Sequence, residues 1–156
     1  FVNGVPYHPF SGGRKSKQIN SRGLTFNASG RYQQMLRDWP HYRDLLKLPD
    51  FGHISQDKLA IQHIRECWAL PGVIAGRIEP AIDKCRNIWA SLPGAGYGQR
   101  EHRLQDLVAQ YERALKVVAE PGPLGGLCAA AVFCLFCHME SGRLAPVSYT
   151  HLTLPT

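Results

Sequence analysis

Apolar residues fall at helical spacing from Gly30 onward and follow no period before it. The first 29 residues carry Pro, Gly, Asn and Ser throughout, which predicts loop, with short strands near Phe1–Val5 and Lys17–Ile19. GRYQQMLRDW then predicts a helix that Pro40 interrupts, because proline lacks the N–H and crowds the preceding turn. HYRDLLKL predicts a second short helix or a kinked extension. In SQDKLAIQHIRECWAL, Ser55 is placed to cap a helix whose apolar face is Leu59, Ala60, Ile64, Cys67 and Trp68. EPAIDKCRNIWASL repeats the logic, with Pro80 just inside its start and Ile82, Cys85, Ile88, Trp89 and Leu92 as the buried stripe. REHRLQDLVAQYERALKVV is the clearest helix, with Leu104, Leu107, Val108, Tyr111, Leu115 and Val118 on one side.

Between the last two helices lies SLPGAGYGQ. Gly94, Gly96 and Gly98 allow positive φ and close backbone approach to a ligand, since no Cβ intervenes. Tyr97 offers a flat apolar face with a hydroxyl at its edge, a shape that suits the C–H face and polar rim of a pyranose. The same residues also suit a helix terminus whose tyrosine anchors the next helix, and the local chemistry alone favours that plainer role.

The C-terminal part reads differently. PGPLGGLCAAAVFCLFCHM is apolar without a period, and Leu124–Cys137 is shorter than the roughly 20 residues of a spanning helix. VSYTHLTLPT, residues 147–156, matches a translated sequencing-library adaptor; a β-rich tail is the competing description. The organisation expected is therefore a domain over 1–118, an apolar tail over 119–146 and an adaptor-derived end over 147–156.

Charge narrows the partners. A net charge of +6 points to a polyanionic partner such as nucleic acid, anionic membrane or bacterial wall. The basic loop of Arg14, Lys15, Lys17 and Arg22 has no interleaved aromatics for base stacking and is expected to be a solvated loop. The 5 cysteines are odd in number and irregularly spaced, which argues for a reducing compartment rather than a disulfide framework. The chain starts at FVNG with neither Met nor signal peptide, and is expected to be truncated there. CLFCH at 134–138 fits the c-type haem attachment spacing, but a chance match in an apolar run is the expectation. His63 and Cys67, one helical turn apart, have no second ligand pair, so no metal site and no cofactor are expected.

Several blocks, in order, resemble the lambda-type phage endolysins, which are peptidoglycan lytic transglycosylases. AIDKCRNIWASLPGAGYGQREH is similar to that family's glycine-loop segment. NASGRYQQMLRDW resembles its small-Gly-Arg-Tyr-Gln block, Tyr7-His8-Pro9 stands where an Asp-His-Pro turn is common, and SQDKLAIQHIRECWALP resembles the third block. The resemblance covers about Phe1 to Leu115. It implies an α+β, mostly helical, lysozyme-like fold with a small β region and a substrate cleft. It implies cleavage of the MurNAc–GlcNAc β-1,4 bond to a 1,6-anhydro product, with one glutamic acid as acid and then base. Carried over position by position, Tyr32 and Gln33 line the cleft floor, while Gly96, Tyr97 and Gln99 contact sugar.

That glutamate would lie N-terminal to Phe1, so no catalytic residue is assigned within the chain and the fragment is expected to be inactive. Glu66, Glu79, Glu101, Glu112 and Asp83 are each expected to be solvated helix carboxylates or ion-pair partners. The partners implied are peptidoglycan glycan strands, with no nucleic acid, no stable membrane insertion and a monomeric state. The protein would sit in the host cytoplasm before release onto the periplasmic wall. The rival is a non-catalytic basic module binding wall glycan or nucleic acid, which a steep salt dependence on any polyanion would favour.

Overall fold

The computed structural model describes residues 7–18 and 25–119. The expected strand at Phe1–Val5, the residues Ile19 and Arg22, the CLFCH motif and both expected tails lie outside the described residues. The described residues divide into two compact units, one ending at Gln62 and one beginning at His63.

The first unit opens on two short antiparallel pairs. β1 (Lys17–Gln18) pairs with β2 (Thr25–Phe26), Lys17 opposite Phe26. β3 (Ala28–Ser29) pairs with β4 (Gln34–Met35), Ala28 opposite Met35. Residues 30–38, expected to be helical, instead form this hairpin turn, the strand β4 and a second turn. Gly30 at φ 79° and Gln33 at φ 51° are left-handed, which no α-helix accommodates. Helix α1 (Trp39–Leu45) begins where an interruption was expected, with Pro40 in its first turn. There the missing N–H has no partner to lose, so proline starts the helix rather than breaking one.

The first unit's core is Trp39, Leu48, Phe51 and Leu59, with Tyr42 and Leu46 packed against them. The Trp39 and Phe51 rings meet edge to face with centroids 4.8 Å apart. Helix α2 (His53–Glu66) starts two residues before the expected cap, so Ser55 lies inside it. Asp50 braces the turn into the helix instead: its Oδ1 accepts from Gly52 N at 2.7 Å and from Ser55 Oγ at 3.0 Å.

The second unit holds the end of α2 and the helices α3 (Leu70–Ile74), α4 (Ile78–Cys85) and α5 (Leu104–Ala119). Ile64, Val73, Ile82, Cys85, Trp89, Leu92 and Leu107 are buried, and Tyr111 of α5 donates its hydroxyl to Val73 O at 2.9 Å. Two members of the expected stripes face outward. Ile88 is exposed because α4 has already ended, and Trp68 is 80% exposed. Trp68 follows α2 in a left-handed conformation, φ 56°, with its carbonyl bonded by Lys84 Nζ at 3.0 Å. That turn reverses the chain and swings the ring off the helical face. The short α3, unpredicted from the pattern, follows at once. Among the described residues no helix is long and apolar enough to cross a membrane.

Candidate functional site

In the first unit, Gln56 and Asp57 of α2 grip the β3–β4 turn, and Ser55 beside them secures the start of the helix. Ser55 binds Asp50, Gln56 Oε1 accepts from Arg31 N at 2.8 Å, and Asp57 Oδ1 accepts from the Tyr32 hydroxyl at 2.7 Å. Gln56 Nε2 donates to Phe51 O at 2.8 Å, so its amide is held at both ends. A Cβ on Gly30 would run into the Gln56 amide, which is why the turn carries a glycine there. Gln33 Nε2 donates back to Gly30 O at 2.9 Å and keeps the turn tight.

Asp57 is buried, and its Oδ2 makes no hydrogen bond among the described residues. Burial pushes its carboxyl above the ordinary aspartate range, while the Tyr32 hydroxyl and the charges of Arg31 and His53 pull the other way. The Arg31 guanidinium stands 3.7 Å from Oδ1.

His8 braces the same hairpin. Its Nδ1 accepts from Phe10 N at 3.3 Å, which leaves the proton on Nε2 to donate to Gln34 O at 2.9 Å. The ring is buried and meets Phe51 with centroids 4.6 Å apart. Burial lowers its pKa, partly offset by the bond to Gln34 O.

In the second unit, the glycine-rich segment closes on itself. His102 N donates to Ser91 O at 2.8 Å at its neck, and Ala95 N to Leu92 O at 3.2 Å starts the loop. Gly94, Gly96 and Gly98 all have positive φ, between 71° and 76°. Gly94 N and Gly96 N each donate to the Glu101 carboxylate, both at 2.8 Å. Tyr97 donates its hydroxyl to Asn87 O at 3.1 Å, yet its side chain stays exposed at 55%. A ring fastened at its hydroxyl and open on its surface can cover the apolar face of a sugar.

Among the expected site residues, Gly96, Tyr97 and Gln99 share this one exposed loop. Tyr32 and Gln33 belong to the first unit, where Gln33 is half-buried and Tyr32 is 5% exposed. Tyr32 thus presents no ring face; its hydroxyl serves Asp57. Glu101, expected to be a solvated helix carboxylate, is a clamp on backbone amides and lies before α5. The other four fit their expectation better. Glu79 and Glu112 are exposed, Asp83 pairs with Arg86 at 3.1 Å, and Glu66 stands 3.9 Å from His63. Sequence reasoning missed Asp57, Gln56 and the brace at His8; the Ser-Gln-Asp run beside the Gly-Arg-Tyr-Gln block was the available signal. His63 packs edge to face on Trp89, and the described residues hold no group of three His, Cys, Asp or Glu that could seat a metal. Cys67 and Cys85 are free thiols, and burial pushes Cys85 up to about 12.

The endolysin family model matches residues 2–118. The endolysin of Escherichia phage P2 is 63% identical over 107 residues, covering 69% of this chain. That of Escherichia phage lambda is 49% identical over 107 residues, covering 69% of this chain and 67% of its own. The chain spans 65% of the length of the phage P2 relative. The solved structure of bacteriophage lambda lysozyme complexed with a chitohexasaccharide superposes with a TM-score of 0.64 at 47% identity, over 70% of this chain and 68% of that one. A second lambda lysozyme structure gives 0.58 at 46% identity, over 68% and 66%. With five helices and small antiparallel pairs among the described residues, the chain has a mixed lysozyme-like fold and belongs to the endolysin family.

Proposed function

We propose that this chain serves peptidoglycan degradation by a phage endolysin, and that the 91–102 loop binds the glycan strand through Tyr97. One observation carries this: Tyr97 is tied down at its hydroxyl yet 55% exposed, on a loop shaped by glycines. The similarity to a lysozyme solved with a chitohexasaccharide supports a β-1,4-linked amino-sugar strand as the ligand. Gly96 lets the strand approach the backbone and Gln99 supplies an exposed amide for sugar hydroxyls. In the first unit, Tyr32 acts from the interior, holding the turn that presents Gln33.

The chemistry proposed is lytic transglycosylation. A glutamic acid protonates the glycosidic oxygen as the MurNAc–GlcNAc bond breaks. Its carboxylate then takes the proton from the muramoyl 6-hydroxyl, which closes on the anomeric carbon to give the 1,6-anhydro sugar. Asp57 does not suit that role, because it is buried and Tyr32 and Arg31 already engage its Oδ1. The acid is therefore assigned to the part of the endolysin that this chain does not span. No metal or cofactor enters the scheme. The protein acts as a monomer, is made in the host cytoplasm and reaches the wall once the inner membrane is breached.

The direct test is titration with chitohexaose. Tyr97→Ala should weaken binding while the thermal transition stays in place, and unchanged affinity would return the ring to a purely structural role. The chain extended by its upstream coding sequence should release anhydro-muropeptides from purified walls. Hydrolysed reducing ends instead would overturn the transglycosylase assignment.

A further inference from the structure

We infer that Glu101 is a positioning residue for glycan binding, its carboxylate filling the amide concavity of the glycine loop and holding Tyr97 in its exposed pose. This rests on the assignment of Tyr97 to the glycan. Consecutive amides in alternating handed conformations form a concave site that attracts anions. Here Gly94 N and Gly96 N point into one such concavity, and Glu101 occupies it, one oxygen to each amide. The loop is therefore not an empty anion site. It is one the chain fills for itself.

The placement of Glu101 makes the contact effective. Its neighbour His102 is bonded to Ser91 O, so Glu101 enters from the neck of the loop and reaches across to the residue just before Tyr97. The ring is then held from both sides: the backbone through Glu101, the hydroxyl through Asn87 O. Without the carboxylate, three glycines with positive φ would leave the 94–98 backbone many alternatives. The basic side chains nearby are Arg86, whose guanidinium lies beside Gly94 and is paired with Asp83, and the chain neighbours Arg100 and Arg103. None of them can accept a hydrogen bond from an amide when charged, so none replaces the carboxylate. The two amide bonds also hold the Glu101 carboxyl below its ordinary range, as donors to a charged acceptor should.

The experiment compares wild type, Glu101→Ala and Glu101→Gln in chitohexaose titrations, with amide exchange read at Gly94 and Gly96. If Glu101→Ala leaves the loop competent a tenth of the time, affinity falls about tenfold while the thermal transition is unchanged. Formate should enter the vacated concavity and restore binding, and chloride at equal ionic strength should not. Glu101→Gln, with one acceptor oxygen, should fall between. Equal affinity for Glu101→Ala and wild type overturns the inference, as does a loss that formate fails to reverse. Wild type that binds no chitohexaose overturns the glycan assignment itself, and the inference with it.

Discussion

Replacing Tyr32 with Phe tests whether the buried carboxylate of Asp57 depends on the hydroxyl it accepts. The substitution keeps the ring and removes one oxygen, the donor 2.7 Å from Asp57 Oδ1. Asp57 Oδ2 already lacks a hydrogen bond among the described residues, so the close partner left to the carboxylate would be the Arg31 guanidinium at 3.7 Å. A hydrogen bond to a charged group is worth about 1.5–3 kcal/mol, and a loss of about 2 kcal/mol near neutral pH is expected. In a domain of about 100 residues that lowers Tm by roughly 10 °C. The pH dependence is the sharper signature. Tyr32 favours the charged carboxyl, so removing it raises the folded-state pKa of Asp57 further. The penalty should be full where the carboxyl must be charged and shrink as pH falls through that raised pKa. Thermal or urea unfolding of both proteins across the acid range measures it. A double-mutant cycle with Asp57→Asn isolates the pair. A cost below about 0.5 kcal/mol, or one equal in acid and at neutrality, would refute the reasoning.

Trp68→Gly should stabilise the protein by about 1 kcal/mol, because a left-handed conformation costs a side-chain-bearing residue about 1–2 kcal/mol and this ring is 80% exposed. A melting temperature at or below that of wild type would contradict it. His8 should make the fold acid-sensitive. Its folded pKa lies below the ordinary histidine value, so the unfolded chain takes up the proton first and stability falls as pH drops from about 7 to about 5. His8→Gln should flatten that decline in calorimetry; an identical slope in both proteins would remove His8 as its cause.

Helices whose burial follows their own period are legible in the amino-acid sequence. The stripes of α2, α4 and α5 place Leu59, Ile64, Ile82, Cys85, Leu107 and Tyr111 in the interior, as the spacing predicts. The segment 30–38 is not legible in that way, because its shape comes from Gln56 and Asp57, which stand 25 residues later than Arg31 and Tyr32. No local pattern contains that information. Trp68 departs from its expected face for a related reason: extrapolating a helical stripe assumes the helix continues, and α2 ends at Glu66. At the glycine loop, sequence and resemblance together single out Tyr97, but Glu101 looks like any charged residue. Its partners are backbone amides, which every residue but proline has, so charge patterning cannot reveal it.

The bond between Ser91 and His102 has a consequence for how such loops travel through evolution and engineering. Because both the hem and the inner stitch are sewn within a dozen residues, the segment carries its own tailoring. Moved onto another pair of helices whose ends are spaced alike, its backbone should keep its cut, while Tyr97 keeps its pose only where a carbonyl stands as Asn87 O does here.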